Sequence, residues 1–453
     1  MKFKKIWLAP SLILALAAAK YFYQALVINP VEIDQEYLLL QAWQILKQHK
    51  LTLIGASTGV GKIYIGPAYN YFIALVMWFT RLHPGTVNLV SAVWATLTPL
   101  AIYLVAKKLF SFPVGFIAGF LAAASSSFLN LPGVPPLVIP FAPVALLTVY
   151  FLSQLSQNPQ AIWPAAFLTG LSLHLHFTGL FLVSLFLVWL LVIKFRPNLR
   201  QILGISLLWL IFISPLIAFD LRHGFRNLHN FEDFLSGKTR PVATTTPTVR
   251  SLTLGLATTG SLFSGNNNLD LPLGVLILIP TLLYFFTNKF TRLHQLLSLW
   301  LIIPFFFSSL YIGLLLPYYY IFHQPAIFIL AGLVITSLLR YRFVFPTLVI
   351  SALIYTYLNF NWIRGTYTGF SLNHKMAAFK FIKTHAGSRP FNLSLTVEHA
   401  RTGGLEFLLL YYGLDTQLQP DRPTYTLVIP SNWHRIKSDY RFGDIGVVLH
   451  PSL

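Results

Sequence analysis

The sequence predicts an all-α polytopic membrane protein of about eleven transmembrane helices, followed by a small α/β domain. Three observations predict it. Hydrophobic residues make up 55% of the 453 residues and charged residues 10%, with mean hydropathy +0.66. That balance lies outside the range of soluble globular domains. Apolar runs recur from residue 6 to residue 360, each near the ~20 residues that cross a bilayer as a helix. Beyond residue 361 the composition turns soluble. The short alternating segments of a β-barrel are absent.

Taken in order, the chain opens on Lys2, Lys4 and Lys5 and a run that resembles a signal sequence. The apolar character continues through Tyr21-Phe22-Tyr23 to residue 28, the length of an uncleaved anchor. The expected spans are 6–28, 87–106, 112–128, 134–152, 162–177, 180–193, 202–219, 273–287, 296–312, 324–339 and 343–360. Positive charge sits in short connections: Lys107-Lys108, then Lys194, Arg196 and Arg200, then Lys289 and Arg292, then Arg340 and Arg342. These are read as cytoplasmic, together with the N-terminus. The assignment requires that the apolar stretch 67–79 lie along or dip into the outer face without crossing. It then puts all 13 acids on the outer side or at its membrane edge. The net charge of +19 is therefore a membrane-topology signal and not a nucleic-acid one. There is no cysteine, which excludes disulfides, thiolate metal sites and a cysteine nucleophile.

Residues 1–360 form the transmembrane module, which leaves three outer regions. The first, 29–86, carries an expected amphipathic helix at 35–50, with Tyr37, Leu40, Trp43 and Leu46 on one stripe, and then a flexible Gly/Ser/Thr-rich stretch at 51–66. The second, 220–271, reads as a polar loop whose middle, 237–248, is expected to be mobile. The third is the extracytoplasmic domain at 361–453, with helices at 376–385 and 404–412 and strands at 391–397, 424–430 and 445–449. There is no internal repeat.

The distribution of acids is the strongest functional signal. Glu32, Asp34 and Glu36 cluster at the exit of the first span, and no other acid follows until Asp220. Carboxylates this scarce, placed at a membrane edge, are functional candidates. The plain alternative is that Asp34 caps the following helix, where an acid is stabilised by the helix dipole. The functional reading makes Asp34, with Glu36, a general base or a ligand for Mg²⁺ or Mn²⁺. Two acids are a thin shell for such a cation, so its participation stays open.

Further groups sit at expected outer helix ends. His174 and His176 occupy Leu173-His174-Leu175-His176-Phe177-Thr178-Gly179. At i, i+2 they diverge, so each either ties helices together or enters a polar pocket. Arg222, in Asp220-Leu221-Arg222-His223, is suited to a phosphate oxyanion or to snorkelling beside Asp220. Tyr318-Tyr319-Tyr320 with His323 fits an aromatic belt or a sugar-stacking rim. Gly59-Val60-Gly61-Lys62 lacks the full phosphate-loop pattern and is rejected as one.

Asp34-Gln35-Glu36 after the first span, then Tyr64-Ile65-Gly66-Pro67-Ala68-Tyr69-Asn70-Tyr71, then Lys107-Lys108-Leu109-Phe110, resembles the C-type glycosyltransferase superfamily. The likeness is to the bacterial branch similar to protein O-mannosyltransferases and the lipid A aminoarabinose transferase, and it is strongest over the first third of the chain. That resemblance implies a polyprenyl-phosphate-linked sugar donor and transfer to a lipid, glycan or protein acceptor on the outer face of the cytoplasmic membrane. Asp34 would then align with the family's catalytic acid. Lys62, Tyr64, Tyr69, His174, His176, Arg222, His223 and Tyr319 are the candidate substrate and phosphate contacts. The chain departs from the pattern in two places. Gln35 splits the family's adjacent Asp-Glu pair, and Gly66-Pro67 stands where many members have His or Lys with Pro-Pro. The competing classes are a transporter or flippase of lipid-linked sugars, which should carry mid-span acids or repeated halves, and a polysaccharide ligase or polymerase with a large outer loop.

Overall fold

The structure is a computed structural model. It describes the chain except residues 1, 60–61, 237, 239–245, 266, 312, 342, 399–400, 418, 420–421, 432–435 and 451–453. For 2–7, 235 and 267 it describes the backbone only. Arg342 and most of the segment expected to be mobile thus lie outside the described residues.

The helices are α1 (Lys2–Tyr23), α2 (Ile33–Lys47), α3 (Ala68–Phe79), α4 (Thr86–Leu109), α5 (Phe112–Ala124), α6 (Phe141–Gln154), α7 (Ile162–Ser172), α8 (Gly179–Val192) and α9 (Leu199–Arg222). They continue with α10 (Arg226–Leu235), α11 (Pro247–Ser264), α12 (Asp270–Thr287), α13 (Arg292–Leu310), α14 (Gln324–Leu338), α15 (Val344–Arg364), α16 (Leu372–Ala386) and α17 (Leu405–Tyr412). Among the described residues, seven helical segments are long and apolar enough to cross a membrane, and four apolar helices are shorter. The first span runs to Ile28 through a π-helical turn that continues α1. Short α3, about 18 Å at 1.5 Å per residue, is too short for a ~30 Å hydrocarbon core and packs on α2.

Small residues set the packing at the centre of the bundle. A Cβ at Gly115 or Gly119 of α5 would lie 2.6–2.7 Å from atoms of Tyr103 in α4, and one at Gly332 of α14 would lie 2.6 Å from the Val114 carbonyl oxygen. Backbones that approach this closely drive association where lipid offers no hydrophobic gain. Helices α9, α12 and α15 bury little of their apolar surface and form the outer wall. Lys20 is fully buried in α1, where its side-chain nitrogen donates to the carbonyls of Ser125 and Phe128 just past the C-terminal end of α5.

Four expectations are corrected. The stretch 51–66 is not simply flexible: Gly55–Ile65 and Thr58–Ile63 backbone bonds and a Ser57–Tyr64 bridge fold it into a hairpin. Its residues 60–61 lie outside the described residues. The region 220–271 is not a loop but holds α10 and α11. Helix α11 buries Ser251, Gly255, Thr258 and Gly260 and crosses α12 so closely that a Cβ at Gly274 would lie 1.9 Å from the Leu256 carbonyl oxygen. The expected span 162–177 ends at Ser172, and its remainder turns into α8. Finally, α2 starts at Ile33 with Glu32 as its N-cap, and the Gln35 side chain accepts from the Glu32 N–H at 3.1 Å. Asp34 is therefore a first-turn residue and not the cap. The most buried face of α2 is Gln35, Leu38, Leu39 and Ala42, one step round from the expected stripe.

The C-terminal unit is a four-stranded sheet flanked by α16 and α17. Its strands are β1 (Asn392–Val397), β2 (Thr424–Ile429), β3 (Tyr440–Phe442) and β4 (Ile445–His450), in the order β1-β2-β4-β3. Strands β1 and β2 are parallel and the other pairs antiparallel. Its own core gathers Phe379, Leu393, Leu408 and Leu427 and also takes in Val31 from the first outer region.

Filling the α11–α12 crossing should be costly. Gly274→Val forces overpacking worth about 1–3 kcal/mol. It should lower the thermal unfolding midpoint in detergent, while Gly133→Ala, whose new methyl group meets nothing closer than 3.5 Å, should leave it unchanged. Equal midpoints for both variants would mean the α11–α12 crossing has room for a larger side chain.

Candidate functional site

The described residues enclose a cavity of about 380 Å³, within the range typical of small-molecule pockets. Its lining includes Asp34 at the start of α2, residues 56–59 of the hairpin, His176 in the α7–α8 corner, and Phe234 of α10. Tyr311, Tyr318 and Tyr319, beyond the C-terminal end of α13, close the far wall. With residues 135–138, six separate chain regions converge on one space, and Asp34 is the only acid among its described lining residues.

Asp34 has no hydrogen-bond or ion-pair partner among the described residues. Its proton affinity is raised, and the sole cause is desolvation by surrounding protein. The side chain opens into the cavity and keeps accessible surface there, while the surrounding protein displaces part of its solvation. It lies close enough to Tyr318 for the two to interact electrostatically.

Glu36 faces elsewhere. Two residues on an α-helix are separated by about 200°, and Glu36 points into the C-terminal unit. There Oε1 accepts the N–H groups of Glu406 (2.7 Å) and Phe407 (3.2 Å) at the N-terminus of α17. Burial raises its carboxyl, while backbone N–H groups of Phe407, Gly404 and Glu406 pull the other way. With its oxygen so engaged, Glu36 does not share a coordination shell with Asp34. Among the described residues no group of three potential ligands assembles. The donor set therefore does not fit a divalent cation bridging these two acids.

The histidines divide in the same manner. His174 is a structural tie: Nδ1 accepts from the Ala68 N–H (3.2 Å) and Nε2 donates to the Phe212 carbonyl (2.9 Å), joining α3 to α9. This explains Gly66. A Cβ there would lie 2.1 Å from His174 Nδ1. His176 enters the cavity. Its Nδ1 accepts the Thr178 N–H (3.2 Å), so the ring is neutral with its proton on Nε2. The ring lies 5.2 Å from that of Tyr319 and 5.8 Å from that of Tyr318.

The remaining candidates do not line the cavity. Lys62 is exposed on the hairpin, with its carbonyl held by Asn230 (3.0 Å). Tyr64 donates its N–H to Asn227 and packs edge-on against Phe219. Tyr69 is buried in α3. Arg222 is exposed at the end of α9 and makes no ion pair with Asp220, whose carboxylate accepts the Asn227 N–H (2.7 Å). His223 stacks on Phe219 and donates to its carbonyl (2.7 Å).

Sequence reading missed Arg250. Helix α11 brings it beside the cavity wall, where Nη2 donates to the Tyr311 carbonyl (2.6 Å) and Nε is buried without a partner. The signal was an arginine just after a proline in an otherwise Thr-rich stretch, which marks a helix start.

Residues 65–219, about a third of the chain, match the family described as dolichyl-phosphate-mannose-protein mannosyltransferase. The fold is similar to that of ArnT from Cupriavidus metallidurans bound to undecaprenyl phosphate, with a TM-score of 0.62, 12% identity and 97% of each chain covered. For the same protein in the apo state the values are 0.61, 13% and 97% of each chain. The Archaeoglobus fulgidus oligosaccharyltransferase in complex with zinc and sulfate gives 0.47 at 13% identity over 86% of this chain and 60% of that one. No curated protein sequence matches. The chain thus resembles the C-type membrane glycosyltransferases of the O-mannosyltransferase and ArnT branch.

The Asp34 environment has a stability consequence. A carboxyl whose proton is held more tightly in the folded state loses stability as pH rises through its folded value. Ionised Asp34 is therefore a cost at neutral pH that Asp34→Asn removes. The unfolding midpoint of Asp34→Asn at neutral pH should equal or exceed that of the parent, with the difference vanishing below the ordinary carboxylate range. A clearly lower midpoint would give Asp34 a structural role.

Proposed function

We propose that this protein is a multi-pass membrane glycosyltransferase that moves a sugar from a polyprenyl-phosphate donor to a lipid, glycan or protein acceptor. The transfer takes place on the outer face of the cytoplasmic membrane, with Asp34 as general base. The observation that carries the reading is a lone carboxylate, unpartnered among the described residues, facing an aromatic-walled cavity in a fold of this class. Desolvation brings the proton affinity of Asp34 towards that of a useful base.

The chemistry follows from the groups present. An acceptor O–H or N–H beside Asp34 gives its proton to the carboxylate as the acceptor atom bonds to the anomeric carbon. The anomeric carbon–oxygen bond breaks, and its electron pair leaves with the polyprenyl phosphate. A single displacement inverts the anomeric centre. The developing phosphate charge needs donors, and two are at hand: Nε2–H of neutral His176 in the lining, and the guanidinium of Arg250, held on the carbonyl of the lining residue Tyr311. Tyr318 and Tyr319 offer aromatic faces to the sugar. The apolar remainder of the lining suits an isoprenoid. The ArnT structure holds undecaprenyl phosphate, which supports the same class of lipid here.

The test uses the full-length protein in liposomes with a panel of radiolabelled undecaprenyl-phosphate sugars and a membrane extract as acceptor. Asp34→Asn should reduce transfer about 10²- to 10⁴-fold, the range for loss of a general base, and leave undecaprenyl phosphate binding within a small factor. In the parent, transfer should fall as pH drops through a value above the ordinary carboxylate range, because the base must be ionised. Transfer by Asp34→Asn at the parental rate would refute the assignment.

A further inference from the structure

The first turn of α2 is built into the C-terminal unit. Val31 is buried in that unit's hydrophobic core beside Leu372 and Leu405. Asn29 is held from both sides. Its carbonyl accepts the Leu372 N–H (2.9 Å) and its side-chain amide donates to Asn373 Oδ1 (2.8 Å). From the other side, Asn88 of α4 donates to Asn29 Oδ1 and to the Pro30 carbonyl, each at 2.7 Å.

Past the acid, Glu36 caps α17 through the two N–H groups already described. The backbones also meet. A Cβ at Gly403 would lie 2.6 Å from the Glu32 carbonyl carbon, and Gly404 adopts φ +85° against Val31. Lys375, 2% exposed, donates to the carbonyls of Arg401 and Gly403, and its charge interacts with Glu32 and Glu36. Residues on both sides of Asp34 are therefore gripped, while its own side chain is not.

We propose that the C-terminal α/β unit is a clamp that positions the catalytic carboxylate. Glu36, Lys375, Asn373 and Gly403 are its positioning residues, holding the first turn of α2 so that Asp34 stays at the cavity wall. Helix ends fray, and an unpaired carboxylate gains solvation by swinging into water. Without an external grip this turn would relax in that direction. A misplacement of about 1 Å can cost about a hundredfold in rate, so a rigid support is a functional need. The catalytic part of the proposal rests on Asp34 being the base; the mechanical part does not.

The absence of cysteine from the chain supplies the test. Asp34→Cys in the full-length protein carries a single thiol, and Thr58→Cys places one on the hairpin side of the same cavity. Rates of maleimide labelling are compared with and without Glu36→Ala, and separately with Asn373→Ala, which cuts the other arm should Glu36→Ala fail to fold. Either clamp variant should speed labelling at position 34 about tenfold or more and leave position 58 unchanged. Glu36→Gln, whose amide oxygen still accepts from both N–H groups, should restore the slow rate. Unchanged labelling at position 34, or an equal rise at both positions, overturns the clamp. The labelling needs no substrate, so it stands apart from the transfer assay. In that assay Glu36→Ala should lower kcat and spare the donor KM if Asp34 is the base.

Discussion

The structure depends on keeping one carboxylate unpaired at the wall of a cavity. A charged group that leaves water ordinarily finds a partner, shifts its protonation, or moves. Asp34 has no partner among the described residues and its proton is held more tightly than usual. Its position at the cavity wall is thus fixed by the backbone that carries it. The asparagine relay from α4 to α16, the Glu36 cap on α17 and the Gly403 contact all converge on residues 29–36.

The same constraint separates groups that look alike in sequence. Asp34 and Glu36 are two residues apart, and helical geometry sends one to the cavity and one to the soluble unit. His174 and His176 are also two apart. One is used up joining α3 to α9, while the other keeps Nε2–H directed away from its Thr178 contact. In each pair the engaged residue holds the framework and the free one faces the cavity. The division makes mechanical sense, because a side chain spent on framework hydrogen bonds has less left to offer a substrate.

Much of this was legible in the sequence because it rests on hydrophobicity and charge, which read locally. The membrane class and the long apolar helices followed from apolar length. The helices and three of the strands of the C-terminal unit fall within a few residues of expectation, and only the three-residue β3 escaped. What stayed hidden depends on tertiary packing. Helix α11 buries a Ser/Thr/Gly face against α12, so its composition reads as loop even though small residues are what such a crossing requires. The hairpin at 55–65 is held by long-range support from Asn227 and Asn230 in α10. The direction of Glu36 depended on a partner 370 residues away in the chain. Arg250 was passed over because a loop reading of 220–271 gave no reason to bring it beside the cavity. Lys20 lay inside an apolar run, where nothing local marks the carbonyls that receive it.

The central claim is that the cavity beneath Asp34 receives the phosphate end of a lipid carrier. A cryo-electron microscopy structure of the full-length protein with undecaprenyl phosphate measures this directly. The account predicts the phosphate inside the cavity, within hydrogen-bonding reach of Arg250 or His176, with room for one sugar between it and Asp34. A phosphate seated outside, on the face that carries Lys62 and Arg222, would contradict it.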